Sequence, residues 1–163
     1  MGSHASSEGR AAIDAIRRIV QLLRKSSRES EMRTGLSAAQ LFVLQQLRAA
    51  GTPLTPSELA RRTLTHQSSV SAVVRRLVDA GLVRRAGSAR DRRRVELSLT
   101  ERGQKTTRAA PALAQERLIE AVESLSPARR MALARGLQQL TRQLGIAGEA
   151  PPMFFEEAMR RAQ

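Results

Sequence analysis

The chain has no cysteine, no tryptophan and no tyrosine, and only three phenylalanines, Phe42, Phe154 and Phe155. The missing cysteine excludes disulfides, thiolate zinc sites and thiol redox sensing. So few aromatics argue against single-strand nucleic-acid binding, which stacks bases on aromatic platforms. No apolar run approaches the roughly 18 residues of a membrane span, and nothing reads as a secretory signal. Met1-Gly2-Ser3-His4 resembles a cloning remnant and carries no weight. Histidine is scarce too: His4 and His66 are the only two. Neither pairs with a nucleophile or joins carboxylates at metal-ligand spacing, and there is no glycine-rich phosphate loop. The expectation is a protein that is not an enzyme, with no catalytic residue, no metal and no cofactor.

Positive charge is what the chain has in excess. Lysine and arginine number 28 against 15 acidic residues, a formal net charge of +13, with a sequence pI near 11.8. Such a surplus points to a polyanionic partner, nucleic acid first and an acidic membrane surface second. A length of 163 residues suits one domain, or a small domain with an oligomerisation extension, and can bury a real core.

The hydrophobic pattern is helical at both ends. In "AAIDAIRRIVQLLRK" (11–25), Ile13, Ile16, Val20 and Leu23 recur at helical spacing. Such a helix can lie on a membrane, but packing on its own protein or on a second copy accounts for it more simply. "LSAAQL" then supplies Ser37 as N-cap, Gln40 three residues on, and Leu36 and Leu41 as a staple; this helix should end at Gly51. "LTPSEL" repeats the grammar with Thr55, Pro56, Glu58, Leu54 and Leu59, opening a short helix to about Leu64. A third helix is expected from about His66 to Ala80, with Val70, Val73, Val74, Leu77 and Val78 as its core stripe and Gly81 as its stop. The period then drops to two: "LVRRA" (82–86) and the Val95, Leu97, Leu99 alternation read as strands around the polar loop "GSARDRR". Thr100 can cap the next helix, which Pro111 kinks or restarts. Ser126-Pro127 opens a last helix, where Leu133, Leu137, Leu140 and Leu144 step by 4, 3, 4 like a helix-pairing seam.

Residues 55–99 thus read helix, turn, helix, hairpin. A B-DNA major groove admits one helix, read from its N-terminal turns. Gln67, Ser68, Ser69 and Ser71 offer short hydrogen-bonding side chains there, with Thr65 and His66 just before them and Arg75 and Arg76 further along. Helix-start preference alone would account for one serine. Arg90, Arg92, Arg93 and Arg94 load the hairpin with charge suited to the narrow minor groove, and Asp91 can pin one guanidinium by a charge-assisted bond. The plainer reading of that loop is a solvated turn in which Asp91 relieves repulsion.

In order and spacing, "LSAAQLFVLQQL", "LTPSELA", "SSVSAVVRRLVDAGLVRR", and Asp91-x-Arg93 followed by "VELSLTERG" resemble the MarR family of winged helix-turn-helix transcription regulators. The resemblance is dense from Leu36 to Gly103. It implies a mainly α fold with a small β-hairpin wing, in which N- and C-terminal helices form a homodimer. The expected organisation is an unstructured start (1–10), an N-terminal dimerisation helix (11–35), a winged helix-turn-helix (36–100), C-terminal dimerisation helices (101–145) and a tail or arm (146–163). The implied function is a cytoplasmic, nucleoid-associated repressor. It would read a pseudo-palindromic operator in double-stranded DNA with recognition helix 66–80 and wing 82–99. By motif position Arg93 is the minor-groove arginine, Asp91 its partner, and Ser68, Ser69 and Ser71 the reading end. The resemblance also implies a small-molecule effector held between the two functional parts, with Phe42 as a candidate pocket residue, although a lone Phe on such a helix more often serves the core. The alternative is an architectural DNA-binding protein without sequence preference.

Overall fold

The structure, a computed structural model, describes residues 6–87, 94–148 and 150–155. Seven helices and one antiparallel hairpin are present among them: α1 (Ser7–Thr34), α2 (Ala38–Ala50), α3 (Pro56–Arg62), α4 (Gln67–Asp79), β1 (Val83–Gly87), β2 (Val95–Leu99), α5 (Glu101–Arg108), α6 (Ala114–Glu123) and α7 (Pro127–Gln143). The mainly α fold with a hairpin wing is therefore the observed architecture.

The core forms around α2. Ala38 to Leu44 and Leu47 are all buried, the pattern of a helix covered on every side. Both expected capping boxes are present: Ser37 with Gln40 and Thr55 with Glu58. Gly51 closes α2 at φ 66°, a left-handed conformation that a side chain would strain. On α4, Val70, Val73, Val74 and Leu77 are buried, so its stripe faces α2 as its period demands.

Hairpin register pairs Val83 with Leu99 and Arg85 with Leu97. Leu97 also forms a bridge with Leu54, its amide donating at 2.8 Å and its carbonyl accepting at 3.0 Å. The wing is thereby tied to the segment that enters α3. A second junction holds the wing to α5: Thr100 donates from its amide to the Leu82 carbonyl and from its hydroxyl to the Gly81 carbonyl. Gly103 lies so close to Leu82 that a Cβ there would sit 2.1 Å from the Leu82 oxygen.

Two expectations are corrected. Residues 7–10 are helical, because Ser6 caps α1 by accepting from the Gly9 amide. That helix runs on to Thr34, beyond the apolar spacing of 11–25, its polar second half held by buried Ser27 and Ser30; the Ser30 hydroxyl donates to the Leu36 carbonyl. Pro111 neither kinks a helix nor opens one. It lies in a break between α5 and α6, held from α2 by Gln45 bonding the Pro111 carbonyl and Arg48 bonding the Thr107 carbonyl.

The two end helices are barely covered. On α7 no residue is buried, and Leu133, Leu137, Leu140 and Leu144 are exposed by 38–62%. Ile13, Ile19 and Val20 on α1 are likewise exposed.

Candidate nucleic-acid interface

The turn between α3 and α4 is tight. Leu64 takes φ 49°, and the Thr65 amide donates back to the Ala60 carbonyl. His66 is the α4 N-cap but makes no side-chain cap bond. The first amides of α4 thus receive no side-chain acceptor from their own cap, the state in which a helix start favours an anion.

Gln67, Ser68, Ser71 and Arg75 are exposed on α4, and Arg76 is half-buried. Ser57 on α3 donates to the Gln67 side-chain oxygen at 3.0 Å, which orients the Gln67 amide. Ser71 donates to the Gln67 carbonyl at 2.8 Å, leaving its hydroxyl oxygen as an acceptor. Ser69 departs from expectation. It is buried, and its hydroxyl donates 3.0 Å to the Pro151 carbonyl. Its position at N3, one residue from exposed Ser68, turns it inward, so it leaves the base-reading set.

The wing faces the same side as α4. One cleft of about 230 Å³ is lined by Gln67, Ser71 and Arg75 from α4 together with Arg85 from β1. An adjoining cleft of about 330 Å³ joins Gln67 to Arg85 and Arg94. Arg85 was missed in the sequence, although its signal was there: a period of two puts it on the face of Val83, toward α4. Arg94 is exposed. Arg90, Asp91, Arg92 and Arg93 lie outside the described residues. Thr65 is half-buried and His66 exposed.

Asp79 lines the first cleft beside Arg75 and Arg85. Glu58 is spoken for: its carboxylate accepts from the Thr55 amide at 2.7 Å and hydroxyl at 2.8 Å. Those bonds, with weaker attraction from Arg94 and Arg61, hold its pKa below the ordinary 4.5. Phe42, the candidate pocket residue, is 1% exposed within the central cluster and is a core residue. No group of three or more histidines or carboxylates that could hold a metal ion occurs among the described residues.

A protein-family model described as MarR family matches residues 34–94. Over 113 residues the chain is 34% identical to the uncharacterized HTH-type transcriptional regulator YfiV of Bacillus subtilis (strain 168), spanning 69% of this chain and 70% of that one. The chain belongs to the MarR family. It is also 35% identical over 89 residues to the HTH-type transcriptional repressor MdtR of the same strain, covering 55% of this chain but only 57% of that repressor. Among solved structures, a mutant MarR from E. coli complexed with operator DNA aligns with TM-score 0.55 at 25% identity, over 83% of this chain and 99% of that one. This MarR-family regulator shares with such neighbours a mostly helical fold carrying a two-stranded antiparallel hairpin wing.

Proposed function

We propose that this MarR-family regulator is a homodimeric repressor that places α4 in the major groove and its wing in the minor groove of a pseudo-palindromic operator. The observation that carries the reading is the shared cleft face: Gln67, Ser71 and Arg75 from α4 open onto the same side as Arg85 and Arg94 from the wing. Gln67, its amide oriented by Ser57, suits bidentate recognition of adenine, and Arg75 suits guanine or phosphate. By motif position Arg93 is the minor-groove arginine and Asp91 its wing partner, and Arg90, Arg92 and Arg94 add positive charge to the same stretch of sequence. Thr65, His66 and Ser68 contact backbone phosphates at the helix start, and Arg76 does so from further along.

The exposed apolar faces of α1 and α7 support the dimer, because among the described residues four leucines at seam spacing stay 38–62% exposed. Repression is the role named for the similar MdtR; release by a small effector is the finer part of the reading. The regulator would act in the cytoplasm, where the chromosome is. Recovery of bound fragments from genomic DNA, followed by anisotropy titration, tests the reading. A palindrome with half-sites about 10 base pairs apart is expected. Arg93→Ala and Gln67→Ala should each weaken the recovered site about tenfold or more, Gln67→Ala with loss of sequence preference.

The excess of 28 basic over 15 acidic residues favours a second reading, sequence-independent coating of DNA. A recovered-to-random affinity ratio near one at fixed salt would select it.

A further inference from the structure

The hydrogen bond that removes Ser69 from the DNA face comes from the far end of the chain. Residues 150–155 lie against α4 and the central hydrophobic cluster. The Ser69 hydroxyl bonds the Pro151 carbonyl across 82 positions of sequence. Two residues on, Met153 is 3% exposed and belongs to the central hydrophobic cluster. Phe154 and Phe155 then border a small cleft with Leu23 and Ser26 of α1, Ala38 of α2 and Gln115 of α6. A six-residue segment therefore touches the helices that flank the winged unit and the first turn of α4 at once.

We propose that residues 150–155 form a strap that fixes the recognition helix relative to α1 and α6, and that releasing it weakens specific DNA binding. This rests on the DNA-binding reading above. The direction follows from geometry. The strap holds α4 at Ser69, whereas Gln67, Ser68, Ser71 and Arg75 remain exposed, so the docked strap does not block DNA. It restrains a helix whose spacing from its symmetry mate must match about one turn of the duplex. Release is also within reach. Phe155 sits at φ 58°, a strained conformation for a residue with a side chain, and the buried Gln115 Oε1 beside the strap has no hydrogen-bond partner among the described residues. Both features weaken docking.

The test compares the full chain with a chain ending at Gly148 by hydrogen exchange and DNA titration. Exchange of the α4 amides from Val70 to Val74 should speed up tenfold or more in the shortened chain, with α7 unchanged. A synthetic peptide of residues 149–163 should restore protection. Affinity for duplexes selected with the full chain should fall at least tenfold, while affinity for random duplex stays within threefold. Should the shortened chain not fold, Ser69→Ala and Met153→Ala in the full chain give the same two readouts, each expected to accelerate α4 exchange. Unchanged exchange at α4 overturns the strap. Faster exchange with unchanged or tighter specific binding overturns its coupling to DNA. If the full chain selects no sequence at all, the DNA reading fails, and the exchange data still decide whether the strap exists.

Discussion

Replacing Gly103 by alanine should destabilise the protein through a contact far more severe than its size suggests. The added Cβ would lie 2.1 Å from the Leu82 oxygen and 3.1 Å from its carbonyl carbon, where ordinary contact begins at 3.4 Å. The obstacle is backbone, so α5 or the start of β1 must move by roughly 1 Å; overpacking of this kind costs about 1–3 kcal/mol. The same Leu82 oxygen accepts from the Thr100 amide at 3.1 Å, and straining that bond adds about 1 kcal/mol. Alanine's better helix propensity returns at most about 1 kcal/mol. The net loss is about 2 kcal/mol, which for a domain of this size lowers Tm by about 4–8 °C. Gly136 is the built-in control. It is also helical, but a Cβ there meets nothing within 4 Å, so Gly136→Ala should gain up to about 1 kcal/mol. Thermal melts of both variants followed by circular dichroism decide the matter: a Gly103→Ala protein as stable as the parent would show that α5 does not approach Leu82 as described. Because Leu82 leads from α4 into the wing, the variant should also lose DNA affinity.

Leu137→Glu, which puts a charge on the uncovered α7 seam, should weaken dimerisation by at least about 100-fold, since each protomer loses about 1.5–3 kcal/mol of leucine burial; light scattering that still reports a dimer at micromolar concentration would remove α7 from the interface. Leu64→Gly should be neutral or slightly stabilising in chemical denaturation, because it relieves φ 49° at a site where left-handed backbone costs about 1–2 kcal/mol; Leu64→Val should lose about 1 kcal/mol at the same position. Glu58 contributes stability above its unfolded pKa and loses it as pH falls through its depressed folded value, below 4.5. Glu58→Gln should therefore be less stable than the parent at pH 7, with the gap closing on acidification; a gap that ignores pH would mean that the Thr55 bonds do not depend on the charge. Glu116 runs the other way: burial raises its pKa, so Glu116→Gln should help at pH 7 and do nothing once the carboxyl is protonated.

What could be read from the sequence was what neighbouring residues decide among themselves. The capping boxes at Ser37 and Thr55 span four residues each, and a hydroxyl and a carboxylate or amide at that spacing leave the backbone little choice. The valine stripe of α4 faced inward because a period of 3.6 has one apolar side. What periodicity alone does not decide falls where a distant partner intervenes. The second half of α1 carries few apolar residues, yet it is helical because its serines find acceptors and donors elsewhere: Ser30 at the Leu36 carbonyl, and Ser26 at the Ala114 amide 88 positions away. Periodicity cannot register a helix stabilised in that way. Ser69 is the sharpest case. Its two serine neighbours in the first turns of α4, Ser68 and Ser71, share its chemistry, so residue type does not separate the ones that face solvent from the one that does not. Helical geometry places Ser69 beside the buried Val70 and Val73 rather than on the outward arc, and the Pro151 carbonyl then supplies the acceptor its buried hydroxyl requires. A serine-rich helix start is thus two features in one stretch, a surface that can read a base edge and an anchor that holds that surface in place. Helix phase and the remote acceptor together tell them apart.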